Sequence, residues 1–309
     1  MKTIFLGTPA FAVPTLDAMV AVGHEVLSVY TQPDRPKGRG QELAQSPVKE
    51  AALRLGLEVT QPEKVRQQEV VDTLRAAAPE VMVVVGYGQI IPQNIIDIPR
   101  FGIVNVHASL LPKYRGAAPI QWAIANGECE TGVTTMQINA GLDTGDMLLK
   151  AATPIGPNEN AVELSERLAQ MGAQLLIETL QSLAAGTVQP EPQRDEEATL
   201  APILNKEDGC VDWAWRAEKI HNRTRGFFAW PGTQAIFRGQ MVRLWRTEVL
   251  DESCTARPGL ILGSKGPLRV ACGEGTVLEL KELQLEGKKR GSGVDFRNGL
   301  RVGENDGFE

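Results

Sequence analysis

Cysteine is scarce. Cys129, Cys210, Cys254 and Cys272 are the only four in 309 residues, and they stand far apart. They form no CxxC pair and no Cys/His cluster, so neither a disulfide framework nor a metal site is predicted, and they read as buried free thiols. No uninterrupted apolar stretch approaches the roughly 20 residues of a membrane span, so no membrane association is expected. The opening Met1-Lys-Thr-Ile-Phe-Leu-Gly7 has too short an apolar run for a secretory leader and reads as a first strand, which predicts a cytoplasmic protein. A basic excess is also missing. The net charge of −6 argues weakly against a nucleic-acid partner, but the halves differ. Residues 1–206 carry 16 Lys and Arg against 23 Asp and Glu, net −7, whereas 207–309 carry 16 against 15, net +1. The less acidic half would suit a module near phosphates, although its excess is small. The Gly7-Thr-Pro turn lacks the GxGxxG pattern of a dinucleotide site. No activated Ser or Cys nucleophile, internal repeat or low-complexity tract is evident.

What is present is an ordinary soluble composition, 42% hydrophobic and 23% charged, over a length that predicts two domains. Strands are predicted at Lys2–Leu6, Glu25–Thr31, Val81–Val85, Gly102–His107 and Gly132–Ile138. Helices are predicted from Ala10 to about Val22 and at Pro47–Leu55, Gln67–Ala77 and Pro119–Asn126. This alternation argues for an α/β fold with a doubly wound, mostly parallel sheet. The Pro- and Gly-rich stretch Gln32–Pro47 is not expected to be regular. Asn160 should cap a long helix whose stripe runs through Leu164, Leu168, Met171, Leu175, Leu176, Leu180 and Leu183 to Gly186. Residues 1–188 would form this domain, and the prolines and acids of 189–206 a linker. In 207–309 a helix over Trp213–Gly226 precedes short strands at Gln234–Phe237, Met241–Val249, Gly259–Leu262, Leu268–Ala271 and Val277–Gln284, the spacing of a small antiparallel β domain.

Two stretches carry chemistry. Ile103-Val-Asn105-Val-His107 ends in an amide and an imidazole two residues apart. In a strand they share a face, at the end where open α/β sheets place their sites. Downstream, Gly141-Leu-Asp143-Thr-Gly145-Asp146 offers a carboxylate able to orient that imidazole. An amide donor, an acid/base and a carboxylate suffice for acyl transfer by direct attack. A third stretch, Asp34-Arg35-Pro-Lys37-Gly-Arg39-Gly, sets three cations on a loop bent by Pro and Gly.

Asn105-Val-His107-Ala-Ser109-Leu110-Leu111-Pro112-Lys-Tyr-Arg115-Gly, together with Gly-Leu-Asp143-Thr-Gly-Asp, resembles the folate-dependent formyltransferases. The similarity extends to the Gly7-Thr-Pro start, to Thr31-Gln-Pro-Asp-Arg35-Pro-Lys37-Gly-Arg39-Gly and to Gly226-Phe-Phe-Ala-Trp230-Pro231-Gly. These match the members of the family that formylate methionyl initiator tRNA for translation initiation. The resemblance implies 10-formyltetrahydrofolate as formyl donor, with no metal. It also implies a Rossmann-like formyltransferase domain followed by an OB-like barrel that binds tRNA. It assigns Asn105, His107 and Asp143 as catalytic. Ser109, Leu110, Leu111 and Pro112 would line the folate pocket, and Arg35, Lys37 and Arg39 would meet initiator Met-tRNA. The expected protein is a monomer. The principal alternative is a sugar-nucleotide N-formyltransferase of the same superfamily, which is not expected to carry the cationic loop or a tRNA-binding second domain. A non-catalytic folate- or RNA-binding protein would not need the intact Asn105, His107 and Asp143.

Overall fold

Val81–Val85 has no polar side chain, and all five residues are buried, as a strand covered on both faces requires. In chain order the elements of the computed structural model are β1 (Lys2–Gly7), α1 (Val13–Ala21), β2 (Glu25–Tyr30), β3 (Arg35–Lys37), β4 (Glu42–Ala44), α2 (Pro47–Arg54), β5 (Val59–Thr60), α3 (Gln68–Ala77), β6 (Val81–Val85), α4 (Gln93–Ile96), β7 (Ile103–His107), β8 (Arg115–Gly116), α5 (Pro119–Ala125), β9 (Glu130–Gln137), β10 (Met147–Pro154), α6 (Ala161–Ala185) and β11 (Leu200–Ala201). There follow α7 (Ala217–Gly226), β12 (Thr233–Phe237), β13 (Gln240–Ser253), β14 (Ile261–Leu262), β15 (Arg269–Ala271), β16 (Thr276–Leu285), β17 (Gly291–Ser292) and α8 (Gly293–Leu300). The structure describes residues 1–37, 42–303 and 306–309. These divide into two units: Met1–Gly116, Thr131–Thr153 and Ser165–Ala201 form the first, and Ala117–Glu130, Pro154–Leu164 and Pro202–Glu309 the second.

The first unit is a Rossmann-like α/β layer. Its seven strands lie in the order β10-β9-β7-β6-β1-β2-β5. The pairs β1–β2, β1–β6, β6–β7 and β2–β5 are parallel, while β9 runs antiparallel to β7. The chain builds outward from β1 to β2 and β5, then crosses to β6 and β7 on the other side. The order therefore switches beside β1, where the carboxyl ends of parallel strands leave a crevice. Every residue of β7 is buried, and His107 is its last. The apolar stripe of α6 covers this part of the sheet, with Leu168 and Leu176 fully buried and Thr179 hydrogen-bonded to Thr135 of β9 at 2.8 Å.

Some local expectations change. The stretch Gln32–Pro47, expected to be irregular, contains the antiparallel strands β3 and β4, paired through Arg35 and Ala44, Pro36 and Leu43, and Lys37 and Glu42. Its base is pinned by Asp34, which accepts from Lys49 Nζ at 2.5 Å and from Gln61 Nε2 at 2.8 Å. A two-stranded ladder tolerates Pro36 because an edge needs no donor there. Of the stretch read as a linker, residues 189–201 belong to the first unit: Glu191 exchanges backbone hydrogen bonds with Met147, and β11 pairs in parallel with β8. The cysteines are free, but only Cys272 is buried; Cys129 and Cys210 are exposed and Cys254 is half-buried.

The second unit is a curled antiparallel sheet in the order β12-β13-β16-β15-β14, with β17 added to β16. The chain terminus links its two edges: Ile261 N donates to Asp306 O, Phe308 N to Gly259 O and Glu309 N to Ile236 O. The interior is packed by Trp213, Ile220, Phe237, Val242, Leu278, Leu280 and Phe308. The helix expected from Trp213 starts at Ala217, and α8 is an element without a strong signal in the sequence.

Candidate active site

The carboxyl end of β7 brings the two motifs together. Asn105 and His107 point to one side of the strand, and Asp143 faces both. Asn105 Nδ2 lies 3.5 Å from Asp143 Oδ1, and His107 Nδ1 lies 3.7 Å from Asp143 Oδ2. Asn105 and His107 are 9% and 6% exposed. His107 Nε2 donates to the Tyr114 carbonyl at 2.9 Å. With that nitrogen committed as a donor, Nδ1 is the ring position that can gain or lose a proton, and it faces the carboxylate.

Asp143 sits in the left-handed region, φ +51°, on a loop shaped by Asn139 Oδ1, which accepts from Gly141 N and Thr144 Oγ1. Its Oδ2 also accepts from Gly116 N at 2.9 Å. Gly116 has φ +124°, and a Cβ there would stand 2.6 Å from Ala201 O, so both the backbone and the approach of β11 require glycine. The three residues Tyr114, Arg115 and Gly116 thus reach the centre separately: a carbonyl to His107, a side chain toward the Asp143 loop, and an amide to Asp143 itself.

The Arg115 link runs through residues that sequence reasoning missed. Arg115 is 7% exposed and donates from Nε to Gln193 Oε1 and from Nη1 to Asp195 Oδ1, each at 2.9 Å. Gln193 Nε2 in turn donates to the carbonyls of Asp143 and Gly145, each at 2.8 Å. Thr199 accepts from Tyr114 N through Oγ1 and from Arg115 N through its carbonyl. Arg115 was visible as part of its motif; nothing in the sequence around Gln193 pointed to the site.

The expected folate-lining residues form the turn after β7. Ser109 is fully buried, with its hydroxyl donating to Lys113 O at 2.6 Å and its carbonyl accepting from Thr134 Oγ1 at 2.7 Å. Leu111 packs with Met136 and Met147, and its N–H donates to Thr134 Oγ1. Leu110 and Pro112 keep half-exposed surfaces. Of the loop cations, Arg35 is exposed on β3, Lys37 ends that strand, and Arg39 lies outside the described residues.

In the second unit several basic residues are structural. Arg225 donates to the carbonyls of Gly156 and Glu159, and Arg223 lies over the rings of Trp215 and Phe227. Burial lowers the pKa of both guanidinium groups. Arg290 pairs with Glu282 and lies 4.9 Å over Trp245, whereas Lys288 and Lys289 are exposed. Among the described residues no group of three or more His, Cys, Asp or Glu could hold a metal ion, and no helix is long and apolar enough to cross a membrane.

Residues 1–180 match the family model described as formyl transferase, and 203–301 match formyl transferase, C-terminal domain. A protein of Solibacter usitatus named methionyl-tRNA formyltransferase is 61% identical over 306 residues, 99% of this chain and 98% of its own length. One of the same name from Koribacter versatilis is 55% identical over 302 residues, covering 97% and 96%. Among solved structures, the sugar 3N-formyl transferase WlaRD, crystallised with dTDP and 5-N-formyl-THF, has a TM-score of 0.70 at 18% identity, covering 94% of this chain and 99% of that one. HypX from Aquifex aeolicus, in complex with tetrahydrofolic acid, has a TM-score of 0.61 at 18% identity, covering 96% and 47%. At that identity the two structures are similar to this chain in fold.

Proposed function

The chain belongs to the methionyl-tRNA formyltransferases, within the formyl transferase family, and from that premise we propose that it moves the formyl group of 10-formyltetrahydrofolate onto the α-amine of methionyl initiator tRNA. The observation that carries the site assignment is the convergence of Asn105, His107 and Asp143 at the end of β7. The unprotonated amine attacks the formyl carbon. The bond from that carbon to the folate nitrogen then breaks, the attacking nitrogen gives up a proton, and the folate nitrogen takes one. Asn105 offers two amide hydrogens, of which the contact with Asp143 uses at most one, so it can donate to the formyl oxygen as negative charge develops there. His107 holds or passes a proton at Nδ1, which faces the Asp143 carboxylate 3.7 Å away.

The donor is held by the turn after β7. Ser109 and Leu111 set its shape from inside, and Leu110 and Pro112 offer the apolar surface for the folate. No metal takes part in this reading. Arg35, Lys37 and Arg39 serve the acceptor, pairing with tRNA phosphates next to the reacting end. Residues 1–188, together with 189–201 packed against them, would carry the reaction, and 207–309 would hold tRNA. The protein would act as a cytoplasmic monomer; light scattering on the purified chain checks its mass.

Sugar-nucleotide formylation remains the rival chemistry because WlaRD, a sugar formyl transferase, shares the fold. The test is a formylation assay with 10-formyltetrahydrofolate and three competing acceptors: initiator Met-tRNA, elongator Met-tRNA and an amino sugar nucleotide. Initiator Met-tRNA should take nearly all of the formyl group. Preference for the sugar nucleotide would overturn the assignment.

A further inference from the structure

We infer that Gln193 is a positioning residue for the reaction, and that the segment from Glu191 to Ala201 works as a strap across the candidate active site; this rests on the catalytic role of Asp143 proposed above. Asp143 is the member of the trio without a strand beneath it. It stands on a loop, at positive φ, and two carbonyls of that loop, those of Asp143 and Gly145, accept from the single Gln193 amide nitrogen at 2.8 Å. The orientation of that amide is determined at its other end, because its oxygen accepts from the buried Arg115 Nε at 2.9 Å. Flipping the amide would put oxygen against two carbonyls and nitrogen against a guanidinium, so only one orientation is permitted.

The strap is itself fastened on both sides of Gln193. Upstream, Glu191 N donates to Met147 O at 2.8 Å and Met147 N donates to Glu191 O at 2.9 Å. Downstream, Thr199 accepts from Tyr114 N and Arg115 N, and β11 pairs with Arg115 and Gly116. The same stretch therefore registers the carbonyl that receives His107 Nε2, the amide that donates to Asp143 Oδ2, and the loop that carries Asp143. A connection that served only as a tether would need none of these contacts. Held in this way, the carboxylate keeps its distance to Asn105 and His107 while charge and protons move, as preorganisation requires. Gln193 touches no reacting atom in this account; it acts through Asp143.

The test uses the full-length protein with Gln193→Leu and Gln193→Glu, each also combined with Asp143→Ala. Removing the amide's bonds should lower kcat by about tenfold. KM for donor and for Met-tRNA should stay within about twofold, because only an interaction made in the transition state is weakened. Gln193→Glu keeps length and its acceptor for Arg115 but sets a carboxylate against two carbonyls, so its kcat should fall at least as far; it decides the matter if the leucine variant does not fold. In the Asp143→Ala background either change should alter kcat by less than about twofold, since coupled residues are not additive. An unchanged kcat in both single variants, or the same loss with and without Asp143, would overturn the inference. If Asp143→Ala alone keeps wild-type kcat, it is the catalytic reading that fails; if Asp143→Ala is crippled and the Gln193 variants are normal, only the strap does.

Discussion

Gly116→Ala probes the joint between β8, the strap and the carboxylate with a single methyl group. At φ +124° an alanine carries backbone strain of about 1–3 kcal/mol. Its Cβ would also stand 2.6 Å from Ala201 O, closer than carbon and oxygen approach without a shift. The backbone of Gly116 must therefore rotate or β11 must move away, and either change disturbs the 2.9 Å bond from Gly116 N to Asp143 Oδ2. A hydrogen bond to a charged group contributes about 1.5–3 kcal/mol, which corresponds to roughly 10- to 100-fold in rate if it is felt in the transition state. The expected result is a kcat reduced by that range, a donor KM little changed and a lowered thermal midpoint. Steady-state formylation and a melting curve on the same preparation give all three numbers. Wild-type kcat together with a wild-type midpoint would refute the argument that β8 registers Asp143.

Three further outcomes follow from particular side chains. Burial, with the Arg225 charge second, holds the His221 imidazole below its ordinary 6.5. The folded protein then leaves His221 neutral at a pH where the unfolded chain takes a proton, so stability is full above about pH 6.5 and falls as pH drops through the window below it. Burial lowers His24 in the same direction, so the comparison is with His221→Gln, whose melting midpoint should fall less between about pH 7 and about pH 5; equal falls would contradict the assignment. Cys272 is buried and its thiol is pushed up to about 12, whereas Cys129 and Cys210 are exposed. Mass spectrometry after alkylation of the native protein should find the two exposed cysteines labelled and Cys272 untouched until denaturant is added; native labelling of Cys272 would refute its burial. Arg35→Ala should flatten the dependence of log Kd for Met-tRNA on log salt by about one unit. An unaltered slope would remove Arg35 from the acceptor surface.

The parts of this molecule that were legible in the sequence are those that local physics settles. The all-apolar Val81–Val85 and the alternation of strands with amphipathic helices announced a mostly parallel sheet, and period-two geometry placed Asn105 and His107 on one face of β7. Asp143 needed the motif, because its distance from His107 is a product of loop closure and not of spacing. What escaped depends on partners remote in the chain. The β3–β4 pair is anchored through Lys49 and Gln61, which no local pattern around Pro36 reveals. Prolines and acids made 189–206 look like a tether, yet the backbone of Glu191, Thr199 and Ala201 finds strand-like partners, and Gln193 finds Asp143, only once the fold has formed. The exposure of Cys129 and Cys210 likewise follows from where the surface falls, which cysteine type alone does not tell.

We propose that the joint action of Asn105, His107 and Asp143 transfers the formyl group to Met-tRNA. It is tested most directly by single-turnover formylation of initiator Met-tRNA by the wild type and by Asn105→Ala, His107→Ala and Asp143→Ala, with tRNA Kd and thermal midpoint measured on the same samples. Each substitution should slow transfer on the order of 10² or more while leaving Kd and midpoint near wild type, because each removes a group that meets developing charge or a moving proton. A folded His107→Ala protein that transferred the formyl group at the wild-type rate would contradict the account.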